Sequence, residues 1–492
     1  MRWALLAPAA RSVKIGWMKP RDLRRLGIPD GPPIEAALDA VRRARQAGWD
    51  FTDLRAALRR VAETPADFAE DEIFATLAAR LAAPLTPEGH GREPRREPRS
   101  GPAPHRIWGH DHDSEALRQM ARAVSLPVSL MGALMPDAHV GYGLPIGGVL
   151  ATDNAVIPYA VGMDIACRMK MTVFDLPVTA LDHQRDRLRT ALERETRFGV
   201  GASYKDRRRH DVMDTDWGVS PVTQRLKDKA WAQLGTSGSG NHFVEFGVLT
   251  VMRDGIGLAP GDYLALLSHS GSRGTGGQVA THYSRLAARL HPELPKDLQQ
   301  LAWLDLDREP GQEYWAAMEL MGRYASANHE LIHRQVRAVV GGGVMADVEN
   351  HHNFAWRELH LLPNGQRRSV IVHRKGATPA GRGVLGIIPG SMGAPGYVVR
   401  GLGEASALMS AAHGAGRRMS RKKAQQKYSW RDLNEVLQKR KVELLSAGLD
   451  EVPMAYKDID QVMAAQADLV EQIARFEPRL VKMAPGGERP ED

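Results

Sequence analysis

Apolar positions in the first ninety residues recur at helical spacing. In PIEAALDAVRRARQAGW they return every three or four places and a glycine closes the run, which predicts an amphipathic helix. FTDLRAALRRVAETPADFAEDEIFATLAARLAA predicts two further short helices divided near Pro65. The next stretch, PLTPEGHGREPRREPRSGPAPH, is rich in Pro, Gly and Arg with almost no apolar content, and reads as an exposed tether. After about residue 105 the period changes. GGVLATDNAVIPYAV, MKMTVFDL, NHFVEFGVLTVM and SVIVHRKGA predict strands, while EYWAAMELMGRYASANHELIHRQVRAVV predicts a long helix. The tail from SWRDLNEVLQKRK to DLVEQIARF is expected to be mainly helical, with fraying after Lys482. No fixed-period repeat is present. The pattern predicts an α+β protein: a helical region over 1–86, a linker over 87–104 and one large domain over 105–492 whose glycine-rich loops carry the site.

Composition narrows the setting. Of 492 residues, 43% are hydrophobic and 25% charged, as in an ordinary soluble domain. No apolar run reaches about 18 residues, so no membrane span is expected, and the N-terminus makes a poor signal peptide. The single cysteine excludes an intramolecular disulfide and favours a reducing, cytoplasmic location. The net charge of +8 suits a polyanionic partner, nucleic acid above all, as well as it suits a merely solvated basic surface.

Five stretches carry candidate chemistry. Cys167 stands three residues after Asp164 in VGMDIACRMK, and a thiolate beside a carboxylate offers two metal donors. LGTSGSGNHFVEF delivers His242 from a glycine-rich turn, with Asn241 and Glu245 close by. LLSHSGSRGTGGQ places hydroxyls, bare N–H groups and Arg273 after His269, the components of an anion pocket. DVENHHNFAW holds two adjacent histidines that point to opposite faces of an extended chain, so His351 and His352 cannot both serve one site. MSAAHGAGRRMSRKKA sets His413 beside open backbone N–H groups and an arginine, where an imidazole could attack phosphorus. Taken singly, each has a plain structural explanation: a core cysteine, a hairpin loop, a helix end. Together, one Cys, one Asp and three His in polar loops could form a two-metal site for Mn, Zn, Co or Fe that clamps phosphate oxygens.

In this order, MPDAHVGYGLPIGGV, VGMDIAC, GSGNHFVE, HSGSRG, HHNF, RKGAT, PGSMG, AAHGAGRRMSR and AYKDIDQV closely resemble the RtcB family of RNA-splicing ligases, from about Trp108 to Lys482. The resemblance implies the RtcB-type α+β fold and a GTP- and Mn-dependent RNA ligase. It would join 2′,3′-cyclic phosphate or 3′-phosphate ends to 5′-hydroxyl ends, in RNA repair or tRNA splicing. It implies that Cys167 bridges two Mn ions, with His269 and His352 on one and Asp164 and His242 on the other. His413 is implied as the nucleophile that takes GMP. Asn241, Glu245, Asn353 and the loop Gly414, Ala415, Gly416 and Arg417 would hold the guanylate, with Ser391, Tyr456 and Lys482 around the base. Asp137 matches an active-site aspartate. A monomer is expected, with an archease-type activator as a possible partner. The competing enzyme reading is a guanylyl-transferring end-capping enzyme or a cyclic-phosphate hydrolase acting on RNA or DNA ends. Four positions depart from the family pattern: Val140, Arg168, His329 and Gly396.

Overall fold

The computed structural model describes residues 18, 20–29, 32–82 and 101–487. Most of the predicted linker and the extreme termini lie outside these residues. The chain divides into two compact units, one holding the N-terminal helices with residues 307–309 and the other the remainder from residue 95 onward.

In the helical unit the predicted helices form at Pro32–Gln46, Phe51–Glu63 and Ala75–Ala82, after a short helix Pro20–Arg24. Asp50 caps the second of the three, its carboxylate accepting the N–H groups of Thr52 and Asp53. Leu54, Leu58 and Val61, spaced four and three apart, turn one face of that helix into the unit's own core.

The larger unit is mixed α and β. In chain order its strands are β1 (His105–Ile107), β2 (Ser129–His139), β3 (Ile146–Thr152), β4 (Ala155–Val156), β5 (Arg168–Phe174) and β6 (Phe243–Val251). There follow β7 (Gly261–Ser270), β8 (Leu304–Asp305), β9 (Val344–His351), β10 (Asn353–Leu361), β11 (Arg367–Lys375) and β12 (Ala377–Pro379). The last are β13 (Leu385–Ile388), β14 (Gly396–Gly401), β15 (Ser410–Ala412), β16 (Glu443–Ser446) and β17 (Val470–Met483). A five-stranded sheet runs β1-β2-β3-β11-β10, and an eight-stranded sheet runs β13-β14-β17-β6-β7-β5-β9 with β16 beside β17.

The long predicted helix forms as Glu309–Val340, packing Tyr314, Met321 and Tyr324 into a core shared with Trp217 and Tyr283. The helix Pro221–Gln233 starts on a capping box, with Ser220 and Thr223 exchanging hydrogen bonds and Pro221 in the first turn.

The C-terminal expectation fails. A helix does form over Trp430–Arg440, but DLVEQIARF contributes to β17, fourteen residues long and paired with both β6 and β14. Its local sequence has helix formers such as Glu471, Gln472 and Ala474, yet pairing on both edges decides its conformation.

Register sets the stage for chemistry. Met169 lies opposite His269, Phe243 also lies opposite His269, and Arg168 lies opposite His351. The residues just before β5, just before β6 and just after β9 are Cys167, His242 and His352. They therefore gather at one end of the large sheet, beside His269 of β7.

Candidate metal and nucleophile site

The four residues are buried, none more than 4% exposed. The sulfur of Cys167 lies 3.4 Å from His242 Nε2 and 3.1 Å from His269 Nε2. Donor atoms of these three residues all fall within 4.8 Å of one another. On one side, His269 Nε2 is 3.3 Å from His352 Nε2; on the other, His242 Nε2 is 3.1 Å from Asp164 Oδ2. The sulfur is thus common to two triads, Cys167–His269–His352 and Cys167–His242–Asp164.

The imidazoles are aimed by their outer nitrogens. His242 Nδ1 donates to the Ser237 carbonyl at 2.7 Å and His269 Nδ1 to the Asn241 carbonyl at 3.2 Å. A carbonyl can only accept, so Nδ1 carries the proton and each Nε2 presents its lone pair to the cluster. Burial keeps His269 and His352 well below the usual histidine range. Burial works to raise the Asp164 carboxyl, but its surroundings, His242 foremost, hold the group below its usual range. A soft thiolate, neutral imidazoles and an ionised carboxylate are a donor set for a transition metal.

Two glycines make room. A Cβ on Gly271 would sit 2.1 Å from Asp164 Oδ2, and one on Gly238, at φ +115°, would sit 2.3 Å from His242 Nδ1. The Gly271–Ser272 turn also supplies an N–H to Asp164 Oδ1 at 3.0 Å.

His413 follows β15 and stands beside this cluster, its ring centroid 5.0 Å from that of His352. Asp137, fully buried on β2, accepts from His413 Nδ1 at 2.7 Å. It also accepts from the N–H groups of His413 (3.1 Å) and Gly414 (3.3 Å). The chain passes so close at Gly416, φ +72°, that a Cβ there would lie 1.9 Å from the Asp137 carbonyl oxygen. Beneath it, Lys457 Nζ donates to the carbonyls of Asp111, Pro136 and Ala138, pinning the end of β2. The sequence offered only the lysine of AYKDIDQV as a hint of that brace.

The expected guanylate residues divide. Ala415 is buried in the turn after Gly414, and a Cβ on Gly414 would lie 3.2 Å from the Pro389 carbonyl, which puts Ser391's turn next to it. The Ser391 hydroxyl is buried with no hydrogen-bond partner among the described residues. Burial raises the carboxyl of Glu245, which stands on β6 well above its usual range. Tyr456 lies under the Arg417 guanidinium, 5.0 Å from ring centre, and Arg417 is itself tied to Glu451 at 2.9 Å and to the Asp450 carbonyl at 2.7 Å. Asn353 braces the loop of Asp164, its amide donating to the Asp164 carbonyl and accepting from Gly376 N–H.

Lys482 is not brought together with them. On β17 it pairs with Val244, while Val481 pairs with Glu245, so alternation sends the lysine to the face opposite Glu245. Its ammonium donates instead to the carbonyls of Leu192, Glu193 and Thr196 at the end of the helix Arg185–Glu195. Arg273 differs from the sequence reading too. It is buried, with Nε on Thr236 Oγ1 and Nη2 on the Gly199 carbonyl, so it fastens loops rather than lining an open anion pocket. The histidine pair behaves as alternation requires: His352 faces the cluster while His351 packs on Phe354 and Trp356.

Of the four departures, two are buried beneath the site. Arg168 pairs with Glu349 and donates to the Gly322 carbonyl, and His329 bonds to Ser268 Oγ and the Ser270 carbonyl. Val140 is 43% exposed and Gly396 lies in β14 against Pro389.

Residues 119–483 match the family described as tRNA-splicing ligase RtcB. The chain is 35% identical over 402 residues to the RNA-splicing ligase RtcB1 of Escherichia coli, covering 75% of this chain and 95% of that relative. It is 32% identical over 453 residues to the tRNA-splicing ligase RtcB of Nanoarchaeum equitans, covering 77% and 94%. To the RNA-splicing ligase RtcB of Mycobacterium tuberculosis it is 33% identical over 429 residues, covering 73% and 98%.

Proposed function

We propose that this chain, which belongs to the RtcB family and is an RNA ligase, joins RNA ends through a guanylylated His413. The observation that carries this reading is the Asp137–His413 pair, 2.7 Å between Oδ2 and Nδ1, standing against the thiolate–imidazole cluster. A carboxylate on Nδ1 fixes the tautomer and leaves Nε2 as the nucleophilic nitrogen.

Nε2 attacks the α-phosphorus of GTP. The N–P bond forms as the bond to the bridging oxygen breaks, and pyrophosphate leaves. The Nδ1 proton stays toward Asp137, whose charge offsets the cation forming on the ring. An oxygen of an RNA 3′-phosphate then attacks that phosphorus, releasing neutral His413 and leaving the RNA end activated. The RNA 5′-hydroxyl attacks the activated 3′-phosphorus, its proton is lost to solvent, and GMP leaves. A 2′,3′-cyclic phosphate end enters after opening to the 3′-phosphate.

The donor set fits Mn: Cys167, His269, His352, Asp164 and His242 would hold the metal. When bound, it supplies positive charge against the phosphate oxygens. Asn241, Glu245, Ser391, Tyr456 and the Gly414–Arg417 turn would embrace the guanylate. Among the described residues no helix is long and apolar enough to cross a membrane. A monomeric, cytoplasmic enzyme is a separate part of the proposal.

Incubation with α-labelled GTP and Mn tests the proposal. The wild type is expected to acquire an acid-labile, alkali-stable label, and His413→Ala none. Label that persists in His413→Ala overturns the assignment. Oligonucleotides of defined ends then report joining, capping or ring opening.

A further inference from the structure

The segment RETRFGVGASYKDRRR (194–209) carries six basic residues and two acidic ones. Arg207 pairs with Asp228 and Arg208 with Glu195. Arg194, Arg197, Lys205 and Arg209 are exposed and make no ion pair among the described residues. Aromatic rings are interleaved with them. The guanidinium groups of Arg197 (4.9 Å) and Arg208 (3.8 Å) both lie over the Tyr204 ring, and Arg207 lies over Trp231 at 5.0 Å.

Beside this segment opens a cavity of about 730 Å³, lined among others by Arg194, Arg197, Phe198, Ser203, Ser446 and Lys482. Phe198 is half-buried in its wall, with the Lys482 ammonium 5.8 Å from the ring centre. Lys482 covers three carbonyls at the C-terminal end of the helix Arg185–Glu195, which offsets the negative end of the helix dipole at the cavity. Glu193 is the one acidic residue of the lining.

The same segment is sewn to the turn that aims His242. Phe198 bridges to Gly238, Gly199 N–H donates to the Gly238 carbonyl at 2.7 Å, and Ser237 N–H donates to the Arg197 carbonyl at 2.8 Å. Ser237's own carbonyl holds His242 Nδ1. A ligand on this surface therefore lies next to the site by direct backbone connection.

Unpaired guanidinium groups suit phosphates, and a recessed aromatic ring suits the face of an unstacked base. A duplex hides its base faces and offers nothing to such a recess. We propose that this segment and its cavity bind the single-stranded RNA adjoining the end to be joined, with phosphates on Arg194, Arg197 and Lys205 and one base against Phe198. The proposal rests on the ligase reading only in taking the Cys167–His413 region as the place where ends meet.

The test measures binding of a fluorescent single-stranded RNA bearing a 3′-phosphate, by anisotropy across a salt series, with the full-length protein. The exposed triple substitution Arg194→Gln, Arg197→Gln, Lys205→Gln is expected to weaken binding roughly tenfold or more. It should also reduce the slope of log affinity against log salt by about two, since each lost phosphate contact removes about 0.7. Phe198→Ala is expected to weaken binding about tenfold with the salt slope unchanged. Removing three charges elsewhere, at Arg55, Arg59 and Arg80, serves as the comparison and should shift affinity by less than about twofold. Unchanged affinity and slope in the triple variant, an equal loss in the comparison variant, or equal binding of a blunt duplex overturns the proposal. Wild-type GMP labelling is measured in parallel. Its absence counts against the ligation chemistry, whereas labelling with unaltered RNA binding in the triple variant counts against this surface alone.

Discussion

Asp137 Oδ2 receives three N–H groups: the ring Nδ1 of His413, the backbone of His413 and the backbone of Gly414. A fully buried carboxylate so placed orients the imidazole and the loop after it at once. Its other oxygen has no partner among the described residues. Asp137→Asn preserves size but removes the charge and can present an N–H to Nδ1, favouring the wrong tautomer. Single-turnover uptake of labelled GMP should slow by roughly a hundredfold or more. An unchanged rate would mean that the tautomer is not set by this residue.

The thiolate–imidazole cluster depends on absent side chains as well as present ones. Gly271→Ala would force a Cβ to within 2.1 Å of Asp164 Oδ2, so the carboxylate must move. Mn affinity, read by titration against a metal indicator, should fall about tenfold to a hundredfold, as for loss of an orienting contact. Cys167→Ala, which removes the atom shared by both triads, should lower the number of Mn bound per chain. Chelation of the wild type should stop joining, and added Mn should restore it.

Arg168 and Glu349 form a partly buried pair, with side chains 8% and 25% exposed and Lys170 3.3 Å from the same carboxylate. Arg168 and the other cations hold Glu349 down to about 2 despite its burial. Arg168→Ala leaves that charge poorly compensated and should cost about 3 kcal/mol in urea unfolding. Adding Glu349→Gln should recover part of the loss. No recovery would show that packing rather than charge is at stake.

His373 is expected to make the protein's stability sensitive to mild acid. Its Nδ1 donates to the Leu150 carbonyl at 3.1 Å while its Nε2 accepts from Ile157 N–H at 2.9 Å, so the native state uses the neutral ring at both nitrogens. Burial lowers its pKa to about 4, and that of His329 to about 3. Both folded values lie below the unfolded one, so between about pH 6.5 and 4 the unfolded chain binds more protons. Stability is fully present above about pH 6.5 and falls with pH down to about 4, by about 3 kcal/mol for His373 alone. Thermal midpoints measured from pH 7.5 to 4.5 should decline, and in His373→Gln the decline should be shallower.

The α+β class, the long helix Glu309–Val340, the N-terminal helices and the strands around the motifs were legible because local period and turn chemistry agree with the final packing there. So was the opposition of His351 and His352, which follows from strand alternation alone. β17 was not legible, because its conformation is set by two neighbours more than sixty residues away in sequence.

Within the site, the residue types came from sequence and the roles of several came from three dimensions. The chain itself determined that one cysteine, one nucleophile candidate and a set of histidines lie in glycine-rich loops, and ordered motifs tied them to a family. The motifs already implied that Cys167 is shared by two triads; tertiary structure alone decided that Asp137 accepts from His413 Nδ1 and that Arg273 is a buried fastener. It also turned Lys482 away from Glu245, since one position along a strand exchanges the two faces of a sheet. Such outcomes depend on register between distant strands, which no short window of residues contains.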